Sequence, residues 1–98
     1  MQTITHILKK IEEQPILYLG SKNLSRLRFF ISGYITCEEE NGINDSLYIF
    51  EDFKKYFNKI YGVVSYYSYA DVIRNVSETE EEAFDKFFEL FNDFLSQR

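Results

Sequence analysis

Phe84, Phe87, Phe88, Phe91, Phe94 and Leu95 recur every three or four residues along the end of the chain. That period commits the segment to an amphipathic helix with one apolar stripe. Its start is marked as well: Thr79 with Glu82 forms a capping box, and acidic side chains crowd the first turn, where the helix dipole favours them. A stripe made almost wholly of phenylalanine has to be covered, so the rest of the chain must supply facing apolar surfaces.

It does so in the same period. Over residues 3–14, Ile4, Ile7, Leu8 and Ile11 fit one buried face, and Pro15 stops the helix because the residue before a proline is pushed out of the α region. Ile16, Leu17, Tyr18 and Leu19 are too few to distinguish helix from strand, and a packed connector is expected there. Ser21 or Asn23 can cap a second helix with Leu24, Leu27, Phe30 or Ile31, Tyr34 and Ile35 inward. Gly33 lies inside it. A mid-helix glycine costs roughly 1 kcal/mol relative to alanine, and close approach of another element would account for it. Asn41-Gly42 ends that helix. Asp45 or Ser46 can cap a third, carrying Leu47, Phe50, Phe53, Phe57 and Ile60 or Tyr61 up to Gly62. A short helix from about Ser68 places Tyr69, Val72, Ile73 and Val76 on one side.

No segment shows the alternation of a half-buried strand. The expected architecture is therefore all-α, a single compact domain over residues 1–98 with about five helices. Its core is aromatic: the 98 residues include ten Phe and eight Tyr, and much of the interior must be rings.

Charge narrows the partners. The formal net charge is −5, which argues against direct binding of nucleic acid or of an anionic membrane, both of which depend on cationic side chains. A neutral ligand or a basic partner remains. The first twenty residues carry His6, Lys9, Lys10, Glu12 and Glu13, so no apolar run there is long enough for a signal peptide or a membrane span. With one cysteine, Cys37, no intramolecular disulfide can form, and a reducing, cytoplasmic setting is expected.

Catalytic chemistry finds little to work with. His6 is the single histidine and has no carboxylate orienter nearby in sequence. Cys37 lies near a helix C-terminus among carboxylates, surroundings that do not favour a reactive thiolate, and it is expected to be inert. One His and one Cys cannot build structural zinc, residues 41–51 lack the alternating oxygen ligands of an EF-hand, and no glycine-rich phosphate loop is present. Neither enzyme activity, cofactor nor metal is expected.

The distribution of charge says more than any motif. Residues 38–52 hold Glu38, Glu39, Glu40, Asp45, Glu51 and Asp52 with no basic side chain. Glu38 to Glu40 stand near a helix C-terminus, where the dipole disfavours carboxylates by a few tenths of a kcal/mol each. Such a stretch reads either as a solvated loop or as a surface that steers a cationic protein. Tyr66 and Tyr67 are candidate aromatic anchors beside it. A second acidic set, Glu80, Glu81, Asp85 and Glu89, lies on the last helix.

Residues 15–34, PILYLGSKNLSRLRFFISGY, together with the Tyr66-Tyr67 pair before a short helix and the Phe-rich last helix after an acidic start, resemble small acidic bacterial immunity proteins. These belong to contact-dependent growth inhibition and related polymorphic toxin systems. The Leu-Gly-Ser-Lys stretch and Gly33-Tyr34 carry most of the likeness; Tyr18, Gly20, Ser21, Leu24, Leu27 and Phe30 also match. The resemblance implies a cytoplasmic protein that binds one cognate toxin domain, often a nuclease, and blocks it by covering its active site. Because such toxins are often basic, an anionic inhibitor can mimic the charge of their substrate. Two other classes fit the same residues. A regulatory adaptor would use the acidic surface on a different basic protein, and a small-molecule-binding bundle would require a cavity of about 300 Å³ or more.

Overall fold

Proline and glycine set several of the helix boundaries. The structure, a computed structural model, describes residues 3–62 and 68–98. Among them are six helices and no strand: α1 (Ile4–Glu13), α2 (Pro15–Leu19), α3 (Leu24–Glu40), α4 (Asp45–Tyr61), α5 (Tyr69–Asn75) and α6 (Glu80–Gln97). The helix beyond the five expected is α2. Pro15 occupies its first turn, where a missing N–H costs nothing, and Gly20 closes it in the left-handed region at φ 80°, with its N–H donating to the Ile16 carbonyl at 2.9 Å.

The expectation of a packed connector fails at the same place. A one-turn helix can turn only one edge inward, and here Pro15 and Leu19 are half-buried while Ile16 and Leu17 are 70% and 71% exposed. Gly20 is needed for its left-handed φ, and a Cβ there would also stand 2.8 Å from Arg26 Nη1 and oblige that flexible side chain to shift. That guanidinium donates to the Leu19 carbonyl and ties α2 to the first turn of α3.

Capping follows the residue types. Asn23 Oδ1 accepts from the Arg26 N–H at 3.0 Å, and Ser68 Oγ from the Asp71 N–H at 3.2 Å. Thr79 Oγ1 accepts from the Glu82 N–H at 3.0 Å, whereas the Glu82 carboxylate reaches past Thr79 to the Glu78 N–H. The capping box is thus one residue wider than its usual form. Gly42, at φ 74°, ends α3 in a Schellman turn: the Ile43 and Gly42 N–H groups donate to the Glu38 and Glu39 carbonyls.

The core is built around Phe53, which is wholly buried. Its ring lies 5.2 Å from Phe91, 5.6 Å from both Phe94 and Tyr69, and 5.8 Å from Phe87, centroid to centroid, mostly edge-on. Edge-to-face packing places positive ring edges against negative ring faces and adds to the area buried. From α1, Ile4, Leu8 and Ile11 join this core, and from α3 Leu24, Leu27 and Ile31.

Gly33 departs from expectation. A Cβ built on it meets nothing within 4 Å, so no element approaches it and the residue stands exposed on the outer face of α3. Gly33→Ala should therefore raise stability by about 0.5–1 kcal/mol, since alanine restricts the unfolded chain and fits the helix without strain. The urea midpoint checks this, and a lowered midpoint would show that the glycine has a packing role.

Candidate partner-binding face

The six carboxylates of residues 38–52 do not share one surface. Glu38 is 2% exposed and belongs to the interior, which corrects its assignment to an open acidic surface. Its Oε1 accepts from the Ser46 N–H at 3.0 Å and its Oε2 from the Ser46 hydroxyl at 2.7 Å. Ser46 Oγ in turn accepts from the Ile4 N–H at 3.3 Å, at the first turn of α1. The carboxylate therefore turns away from the negative end of its own helix toward the positive end of α4, which has no side-chain cap of its own. One acid, one hydroxyl and two helix N-termini form a buried junction of α3, α4 and α1. Loss of water around the Tyr34 hydroxyl, with the Glu38 charge beside it, raises the pKa of that phenol.

The remaining five carboxylates are exposed but diverge. Glu39 and Glu40 end α3, and Asp45 begins α4 across the turn of residues 41–44. On α4, Glu51 lines a cleft toward α3 and α5, while Asp52 faces the chain end, 3.6 Å from the Arg98 guanidinium. The absence of a counter-charge in the local sequence is thus made up in space at Asp52. Tyr66 and Tyr67 lie outside the described residues.

What the fold adds to this corner is Tyr48. It is 61% exposed and lies on the outer face of α4 between Asp45, three residues before it, and Asp52, four residues after. The sequence signal was present, because Tyr48 falls off the Leu47–Phe50–Phe53–Phe57 stripe. Lys55 and Lys59 continue that face with the opposite sign and bound it. The second acidic set is partly engaged: Asp85 pairs with Lys22 at 2.8 Å, and Glu80 and Glu81 occupy the first turn of α6.

A cleft of about 490 Å³ opens between α3, α4 and α5. Tyr69 lines it, with its ring packed on Phe50, Phe53 and Phe87. Burial pushes the Tyr69 hydroxyl pKa well above the ordinary phenol value, and the positive charge of Arg28 offsets part of that rise. A smaller cleft of about 380 Å³ lies between α1 and α6.

His6 and Cys37 are both exposed. Among the described residues no group of three or more His, Cys, Asp or Glu side chains is disposed to hold a metal ion, and no helix is long and apolar enough to cross a membrane. Comparison with protein-family models, curated proteins and solved structures finds no match.

Proposed function

We propose that this protein is an immunity-type inhibitor that binds a basic toxin domain in the cytoplasm and covers its active site. The observation that supports this reading is the corner where α3 meets α4. Glu39, Glu40 and Asp45 stand exposed around the turn, with the exposed ring of Tyr48 beside them and Asp52 one turn further along α4. A large half-polar ring surrounded by carboxylates suits an arginine- or lysine-rich surface: the acids steer the encounter, and the ring supplies apolar area and a face for a guanidinium. A nuclease cleft, cationic because it holds phosphates, offers such a surface. No bond is made or broken by the inhibitor, so no catalytic residue is required.

The test is genetic and biochemical together. A toxin gene is expected beside this one; its product should co-purify with this chain, lose its activity when bound, and be tolerated by cells only when the chain is co-expressed. An adaptor that sequesters a basic regulator would use the same corner. In that case the chain would capture such a regulator and leave the adjoining gene product fully active.

A further inference from the structure

The α3–α4–α5 cleft is a place apart from the acidic corner. Its volume of about 490 Å³ lies within the ~300–1,000 Å³ of small-molecule sites. Its apolar wall is formed by the half-buried Ile35 and Leu47, backed by the buried rings of Phe50 and Phe57, which the aromatic core holds in place.

Several polar groups meet this wall, and Arg28, Lys54 and Tyr69 stand out among them. Arg28 and Lys54 line the cleft, and neither makes an ion pair with a described residue. Tyr69 is 8% exposed, yet its hydroxyl has no hydrogen-bond partner among the described residues. Arg74 Nε is the only fully buried side-chain polar atom left without a partner among them, so the Tyr69 oxygen must reach open space, which the cleft provides. Buried tyrosines ordinarily find a partner for that group. Two carboxylates share the cleft. Asp71 is already engaged by the Ser68 hydroxyl and by Arg74, and Glu51 is exposed. Among the ionisable groups, two cations and a phenol are left over against one acid, with Ser32 and Asn58 as neutral polar lining.

We infer that the cleft binds a small amphiphilic anion, an aromatic or branched aliphatic group bearing a carboxylate. Its tail lies along Ile35 and Leu47, over the edges of Phe50 and Phe57, and its carboxylate is met by Arg28, Lys54 and the Tyr69 hydroxyl. The arginine fork suits a carboxylate, and such charge-assisted hydrogen bonds are the strong ones. This site is independent of the toxin-binding corner.

The probe is 4-phenylbutyrate, titrated into ¹⁵N-labelled full-length protein, with 4-phenylbutanol as its uncharged counterpart. Saturable shifts are expected at residues 31–35, at residues 50–58 and at Tyr69. Arg28→Gln and Lys54→Gln should each weaken binding by about tenfold, as loss of a hydrogen bond to a charged group implies. Tyr69→Phe should weaken it less, and Glu51→Gln should tighten it by removing a like charge. Circular dichroism confirms that each variant keeps its helices. Equal binding of the alcohol would overturn the inference, as would weakening by Glu51→Gln, shifts confined to Thr5, Leu8 and Asn92 in the α1–α6 cleft, or no saturable shift at all.

Discussion

Replacing Phe53 with alanine is expected to lower stability by about 3–5 kcal/mol, the cost of emptying a buried phenylalanine site. The ring is wholly buried and lies within 6.2 Å of six other aromatic rings on three helices, so no single neighbour can shift to fill the space. In a domain of this size each kcal/mol moves Tm by about 4–8 °C, so the loss should exceed about 12 °C. Phe29→Ala is the control. It removes the same atoms from a residue that is 72% exposed, and should change stability by no more than about 0.5 kcal/mol. Equal losses for the two variants in thermal melts would mean that the core does not lie where α4 meets α6.

Glu38→Ala should cost nearly as much, about 3 kcal/mol. It leaves the Ser46 N–H and hydroxyl without acceptors in the interior, at about 1–3 kcal/mol for each unsatisfied group, and it opens a void at the α3–α4–α1 junction. Glu38→Gln should cost roughly half as much. The amide keeps one acceptor oxygen for the Ser46 N–H, and the serine hydroxyl can reverse to accept from the amide nitrogen. Urea midpoints at low and high salt separate this role from that of a surface charge. A buried hydrogen-bonded acid should give losses that are nearly independent of salt, whereas an exposed one should give a loss of a few tenths of a kcal/mol that salt removes.

The contrast between these two residues marks what can be read from a linear sequence. Phe53 was legible because helical period is local: positions 50, 53 and 57 declare a shared face whatever packs on it. The same holds for the Asn23 and Thr79 caps, whose partners lie three residues away. Glu38 was not legible. Judged by its own helix, a carboxylate at the C-terminus is misplaced, and it makes sense only once the N-terminus of α4 has folded back against it. Asp52 is alike, since its counter-charge Arg98 lies at the far end of the chain. The short α2 carries too few residues to show a period. The α3–α4–α5 cleft depends on three helices converging, so Arg28, Lys54 and Tyr69 share no signal along the sequence. Tyr48 is the intermediate case, an aromatic residue visibly off its helix's stripe, whose meaning came from the acids that the fold leaves around it.

The acidic corner is tested most directly by the association kinetics of the chain with the basic toxin domain it is proposed to inhibit. The variant is Glu39→Lys/Glu40→Lys/Asp45→Lys, which spares Glu38 because that residue holds the fold. Electrostatic steering changes association rates by tenfold or more and fades as salt rises. The triple variant should therefore keep its helicity, associate about tenfold or more slowly at low salt, and lose most of the salt dependence shown by the unmodified chain. Identical association rates for the two proteins at low and at high salt, with the fold intact, would contradict a partner-binding role for this corner.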